Sequence, residues 1–390
     1  MSDTTTAFTE TAERRSLRKE VARLASKYGR EYFVAQARSG GKTTDLWLDM
    51  GRNGYLGVAV PEAYGGGGGG IGDLAAVCEE LAAQGCPLLM MIVSPAICGT
   101  VISRFGSEQQ KQRWLPSIAD GTLTMAFAIT EPDAGSNSHN ITTTARRDGD
   151  GWVLSGRKIY ISGVDEAGAV LVVARTEDAR SGKLKPALFV VPTDAAGLEY
   201  QPIDMEIVSP EKQFTVFLDD VALPADALVG DENAGIMQLF AGLNPERIMA
   251  AAFANGIARY ALEKATDYVR TREVFGVPIG THQGVAHPLA TSKIEIELAR
   301  LMQQKAAALY DAGDDLGAGE AANMAKYAAG EAACAAADRA VQVHGGNGIT
   351  AEYGMAGLLV AARATRIAPV SREMILNFVG SHTLGLPKSY

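Results

Sequence analysis

The chain changes texture twice, and that change limits its fold more than any single motif does. Up to about residue 121 apolar residues recur at helical spacing. Leu74, Val77, Cys78 and Leu81 stand at i, i+3, i+4 and i+7, and 11–38 mixes Ala, Glu, Arg and Leu in the same manner. From Thr122 to about Gly230 short β-branched or aromatic runs replace them, with Gly, Pro and Asp between. Met125, Phe127 and Ile129 alternate with small residues, 170–173, 187–191 and 214–218 read as strands, and Asp148-Gly149-Asp150-Gly151 reads as a hairpin turn ahead of Trp152. From Gly235 onward helical periodicity returns: Ile248, Ala252, Phe253, Ile257, Tyr260 and Ala261 form an apolar stripe, and 291–312 and 320–343 are long, Ala-rich amphipathic segments. The expected architecture is α+β and multidomain, with an N-terminal helical domain (1–121), a central antiparallel β-domain (122–232) and a C-terminal helical bundle (233–390).

Composition supports several packed subdomains and narrows the function classes. With 390 residues, 47% of them hydrophobic and 21% charged, the chain has ample apolar material for large cores and is not a disordered polymer. A net charge of −9 disfavours a nucleic-acid partner, since nothing here neutralises phosphates in bulk. The four cysteines, Cys78, Cys86, Cys98 and Cys334, show no CxxC spacing, so neither a metal site nor a disulfide framework is expected and a cytoplasmic location fits. The polar start MSDTTTAFTE does not read as a signal peptide. The uncharged stretch from Leu81 to Ser103 is broken by Gln84, Gly85, Pro87, Ser94, Pro95 and Thr100. It falls short of the roughly 20 continuous apolar residues of a membrane span and is expected to form buried helices joined by a Ser94-Pro95 turn. The unbroken run Gly65–Gly70 reads as a flexible surface loop, because no Lys-Ser/Thr follows to make it a phosphate loop.

Four segments carry more glycine, hydroxyl and polar residues than packing requires. Thr130-Glu131-Pro132-Asp133-Ala134-Gly135-Ser136-Asn137 ends a strand in a small-residue loop, either an ordinary strand exit or a grip for an anion or a heterocycle rim. In Lys158-Ile159-Tyr160-Ile161-Ser162-Gly163, Tyr160 and Ser162 share a strand face, as core residues or as partners of a ring. Arg270-Thr271-Arg272-Glu273-Val274-Phe275-Gly276, with Gln283 after it, closes a long helix whose dipole the arginines oppose. Gln342-Val343-His344-Gly345-Gly346-Asn347-Gly348 closes another with more glycine than a C-cap needs. His344 itself reads as a packed or capped histidine. Asn244-Pro245-Glu246 reads as a helix start, with a capping side chain, proline at N1 and an acid in the first turn.

Taken in order, these segments resemble the acyl-CoA dehydrogenase family. The resemblance extends to Tyr55-Leu56-Gly57-Val58, Pro61-Glu62-Ala63-Tyr64-Gly65-Gly66 and Phe105-Gly106-Ser107-Glu108-Gln109-Gln110-Lys111, and so covers nearly the whole chain. It implies an N-terminal helical domain, a β-domain and a C-terminal four-helix bundle, with FAD between the last two. It also implies an acyl-CoA substrate, an electron-transferring flavoprotein as electron acceptor, and a homotetramer or homodimer in which a neighbouring subunit completes the cofactor site. By resemblance, Phe127, Ile129, Thr130, Gly135 and Ser136 line the flavin and thioester entrance, and Tyr160 and Ser162 approach the isoalloxazine. Arg272, Phe275, Gln283, Gln342, Gly345 and Gly346 meet adenine and pyrophosphate, Arg272 through guanidinium–phosphate pairing. Ser136, Asn244 and Arg247 contact substrate.

Desaturation of a thioester needs a carboxylate at Cα, in a dry site that raises its pKa, and donors for the enolate oxygen. Many family members carry that glutamate in a Glu-Gly-Thr segment near the C-terminus, where this chain has Ala368-Pro369-Val370-Ser371. Proline cannot be the base. A branch that includes isovaleryl-CoA dehydrogenase takes the glutamate from the opening of the bundle, in an Asp-x-Glu-Arg context, matched here by Asn244-Pro245-Glu246-Arg247. Glu246 is therefore the expected base and Glu373, one turn beyond Pro369, the alternative. Pro369 also lacks the N–H that the family aligns with the substrate carbonyl, leaving the flavin ribityl hydroxyl and the Val370 amide. Asn137 and Tyr160 replace a usual aspartate and tryptophan. Two other readings stay open: a non-catalytic structural subunit of a heteromeric dehydrogenase, and a flavin oxidase or monooxygenase on the same fold. Acyl length is not legible, with a lean toward short or branched groups.

Overall fold

Helical spacing in the first zone becomes α1 (Ala12–Ala25), α2 (Gly29–Ser39), α3 (Thr44–Arg52), α4 (Ile71–Ala83), α5 (Thr100–Phe105) and α6 (Glu108–Asp120). These come from a computed structural model that describes residues 10–178, 182–232 and 235–388. Thr11 caps α1 by accepting from the Arg14 amide, and a Ser107–Gln110 capping box opens α6. The run Gly65–Gly70 is a surface loop, but a fastened one. The amides of Gly66, Gly67, Gly68 and Gly69 donate to the carbonyls of Pro61, Gly57, Val60 and Val58. A Cβ on Gly66 would stand 2.1 Å from the Val60 oxygen, so close backbone approach is what requires glycine there. Ser94-Pro95 does not join two helices. It lies inside a π-helical stretch, Ile92–Gly99, that continues into α5, where the widened turn accommodates the missing proline N–H. Among the described residues no helix is long and apolar enough to cross a membrane.

The second zone supplies β1 (Met125–Ala128), β2 (Thr144–Asp148), β3 (Gly151–Ser162), β4 (Ala169–Glu177), β5 (Leu184–Pro192), β6 (Leu198–Ile203), β7 (Gln213–Leu223) and β8 (Leu228–Val229). Strand order is β6-β7-β3-β2-β4-β5-β8, with β1 on β4. The expected antiparallel sheet holds except at two parallel pairings, β1 with β4 and, at Thr144↔Arg175, β2 with β4. β1 arrives from the helical domain rather than from a hairpin, and both its faces are covered. Met125 and Phe127 pack into the helical core, Ala126 and Ala128 into the sheet's own core, as buried parallel strands do.

The third zone is α7 (Gly235–Thr271), α8 (Gln283–Asp311), α9 (Asp315–His344) and α10 (Met355–Ile367), a four-helix bundle, followed by α11 (Arg372–Phe378). Small side chains let α9 approach its neighbours: Ala322, Ala325, Ala329, Ala333 and Ala336 are all buried. Bundle and N-terminal domain are joined by charge. Glu79 of α4 is fully buried and accepts from Arg259 and Arg300 at 2.7 Å each, with Arg18 at 3.1 Å. The Asp311 carboxylate ending α8 accepts from the Ile71 and Gly72 amides at 2.7 and 3.0 Å, satisfying two orphan donors of α4.

Candidate active site

Glu246 does not open a helix. α7 begins eleven residues earlier and runs through Pro245, so the glutamate projects from its interior. Proline at 245 has no N–H for the Ala241 carbonyl, which would leave that oxygen orphaned. The Tyr310 hydroxyl of α8 donates to it at 3.0 Å, and Arg104 in turn holds Tyr310 and Asp315. Asn244, expected as a cap, is buried instead. Its amide nitrogen donates to the Asp315 carbonyl at 3.1 Å and its oxygen accepts from Arg247 at 3.3 Å, so both polar atoms are engaged within the protein. The proline that looked like a helix start is thus a repaired interruption one residue before Glu246.

The Glu246 carboxylate makes no hydrogen bond or ion pair among the described residues. Burial pushes it up to about 7, and the Arg247 and Lys326 cations beside it pull the other way. Arg247 is held by its Nη1, which donates to the Leu243 carbonyl and Asn244, while its buried Nε has no partner among the described residues. Cys98 of the π-helical stretch connects this point to the β-domain. Its thiol lies against the Met125 and Ala126 carbonyls of β1 at 3.9 and 3.5 Å, and burial with the nearby Glu246 charge raises its pKa. Glu373, by contrast, stands exposed in the first turn of α11.

Beyond β1 the chain enters Ile129, Thr130 and the loop that exposes Gly135 and Ser136. That loop is shaped by a residue that sequence reasoning passed over. Glu131 is buried and accepts from the amides and hydroxyls of both Thr142 and Thr143 and from Lys158, all between 2.6 and 2.9 Å. Against its own desolvation these bonds hold the carboxyl down near 2, while burial lowers Lys158 to about 8. After Lys158 the β3–β7 ladder bulges, and Tyr160 takes a left-handed backbone (φ 59°) with its ring 58% exposed. For a bulky residue this is strained geometry of the kind that collects at ligand sites. Tyr160 and Ser162 both lie away from buried Ile161, and the Ser162 hydroxyl pairs with Gln213 at 3.1 Å.

The remaining expected cofactor residues gather at the other end of the bundle. Roughly 37 Å of α7 separates Glu246 from Arg272, from the rise of 25 helical residues. There, β9 (Glu273–Val274) and β10 (Val277–Pro278) form a small hairpin whose tip carries Phe275, left-handed at φ 56° and 95% exposed. Gln283 opens α8 beside it. Tyr268 joins this end to the close of α9, stacking on buried His344 at 4.2 Å and accepting from Asn347 at 3.1 Å. Gln342 is exposed, and Gly345 and Gly346 have open space where a Cβ would stand. Bare backbone, an exposed strained aromatic and an exposed guanidinium suit a flat ring and an anion. They sit too far from Glu246 to meet the same small molecule within one chain.

A helical domain, a largely antiparallel β-domain and a four-helix bundle that carries a carboxylate raised toward neutrality describe a dehydrogenase of acyl thioesters. Known proteins agree. The N-terminal, middle and C-terminal domains of acyl-CoA dehydrogenases match residues 11–122, 126–221 and 233–384. An acyl-CoA dehydrogenase of Mycobacterium tuberculosis, FadE12, is 64% identical over 99% of this chain and 100% of its own. The glutaryl-coenzyme A dehydrogenase in its glutaryl-CoA complex superposes with a TM-score of 0.93 at 30% identity, covering 98% of both chains. Butyryl-CoA dehydrogenase of Megasphaera elsdenii gives 0.91 at 29% identity, over 97% of this chain and 99% of that one. The chain belongs to the acyl-CoA dehydrogenase family.

Proposed function

We propose that this protein is an FAD-dependent acyl-CoA dehydrogenase in which Glu246 removes the α-proton of an acyl-CoA thioester. The observation that carries the assignment is the state of Glu246: desolvated, without a hydrogen-bond partner among the described residues, between two cations, and poised near 7. A base near the working pH combines ionisation with proton affinity, which is what abstraction beside a thioester demands. Arg247 holds the acid in place electrostatically, and the Val370 N–H, which has no acceptor among the described residues, is available to the thioester oxygen where Pro369 offers none. When bound, FAD would supply the acceptor for the β-hydrogen as hydride. Phe127, Ile129, Thr130, Gly135, Ser136, Tyr160 and Ser162 would hold its ring portion. Arg272, Phe275, Gln283, Gln342, Gly345 and Gly346 would hold the adenine end of a neighbouring subunit's cofactor.

That division calls for an oligomer. Ile294, Leu298 and Leu301, at i, i+4 and i+7 on α8, are 62%, 62% and 52% exposed, an apolar stripe suited to a second copy. A homotetramer or homodimer, reduced by a short or branched acyl-CoA and reoxidised by an electron-transferring flavoprotein in the cytoplasm, is the complete reading. The test is flavin reduction in holoenzyme by a panel of acyl-CoAs, in wild type and Glu246→Gln. The variant keeps its yellow cofactor and loses at least about 10³-fold in reduction rate, within the range general bases contribute. The wild-type rate rises with pH through about 7 as the carboxylate ionises. Reduction of Glu246→Gln at an unchanged rate removes Glu246 from the mechanism and turns attention to Glu373. A colourless wild-type protein would mark a structural subunit, and turnover with oxygen but no artificial acceptor would mark an oxidase.

A further inference from the structure

Lys326 is out of place by its sequence. It sits on the Ala-lined face of α9, among Ala322, Ala325 and Ala329, and is 2% exposed. An ammonium in such a place is costly unless hydrogen bonds and countercharges offset its desolvation. It makes no ion pair within 4.0 Å among the described residues. Its one hydrogen bond among them is donated to the Val370 carbonyl, in the loop between α10 and α11. From the elements packed around it, it faces Glu246 and Arg247 of α7, Glu373 of α11 and Cys334 of its own helix.

We propose that Lys326 is a positioning residue for the desaturation: its ammonium holds the Val370 peptide and adds to the positive charge that favours ionised Glu246. The inference rests on Glu246 being the base. Arg247 also favours ionised Glu246, but among the described residues its guanidinium donates only within α7, to the Leu243 carbonyl and Asn244, so the tie to the closing loop is left to Lys326. Lys326 reaches the closing loop from α9 and acts on Glu246 of α7, so it couples that charge to the placement of the Val370 peptide.

The test compares the pH dependence of flavin reduction, from pH 6 to 9, in holoenzyme of wild type, Lys326→Met and Lys326→Arg with a saturating acyl-CoA. Lys326→Met should retain flavin, lose about fivefold at pH 7, and show its inflection moved up by about one unit, so that the deficit shrinks toward pH 9. Lys326→Arg should return the inflection to the wild-type position. A uniform loss at every pH, or no loss, overturns the proposal, since a purely structural lysine would not move the inflection. Should Lys326→Met fail to hold flavin, Lys326→Gln, which still donates to Val370, takes its place: an inflection moved up supports the proposal and an unmoved one overturns it. Glu246→Gln run alongside separates the two ideas. If it still reduces flavin, the base assignment falls; if it is inert while the Lys326 inflection stays put, only the lysine's role falls.

Discussion

Desolvation acts to raise the pKa of both Glu131 and Glu246, and the fold answers it in opposite ways. Glu131 receives five donors from Thr142, Thr143 and Lys158 and is held near 2; Glu246 receives none from the described residues and is pushed to about 7. The first is an anion at every physiological pH and can do no proton chemistry. It fixes the loop that presents Gly135 and Ser136. The second exists in both protonation states near neutrality, which is costly for stability and useful for proton transfer. Hydrogen bonding, rather than burial, decides which of the two acids is held as an anion.

Breaking the comparison at Glu131 should have the largest effect on stability. Glu131→Gln leaves the Lys158 ammonium buried without a countercharge and should cost about 3–5 kcal/mol in denaturant unfolding. Because the folded carboxyl is held below its ordinary 4.5, the stability it confers is present above that value and is lost as pH falls toward 2. Tyr310→Phe strips the donor from the Ala241 carbonyl at the proline interruption and should cost about 1–3 kcal/mol, the penalty of an unsatisfied buried group. If stability is unchanged, that carbonyl has another partner and the Glu246 segment does not depend on α8. Glu246→Gln should have the smallest effect at acid pH and the opposite sign at alkaline pH. A folded pKa raised from 4.5 to about 7 gives wild type stability that is present below 4.5 and is lost as pH rises through 7. Thermal unfolding of the variant should therefore match wild type near pH 4 and exceed it at pH 8. A variant less stable at pH 8 would mean that Glu246 is held by donors after all.

Much of the fold was legible because texture reports period: Val77, Cys78 and Leu81 on α4, or Phe214 and Val216 on β7, declare a helix face and a strand face in the sequence alone. The strands' partners were not. β1 carries the alternation expected of it, yet nothing local indicates that it lies parallel to β4 with both faces covered. Pro245 misled for a related reason. Proline signals a helix start unless something distant repairs the missing bond, and the repair comes from Tyr310, 65 residues away in the chain. Lys326 had a signal, a lone cation on an alanine face, that periodicity alone treats as noise. Glu131 had none, since its five donors converge only when β3 and the 142–143 segment are brought together.

What the sequence determined by itself is the inventory: three zones, the vacated position at Pro369, and a glutamate and an arginine side by side at 246 and 247. The tertiary structure decided the protonation of each acid, because a pKa is set by the water excluded and the donors assembled by remote segments. It also decided that Glu246 and Arg272 lie roughly 37 Å apart along α7. A rigid rise of about 1.5 Å per residue fixes that distance, which no folding of a single chain can shorten.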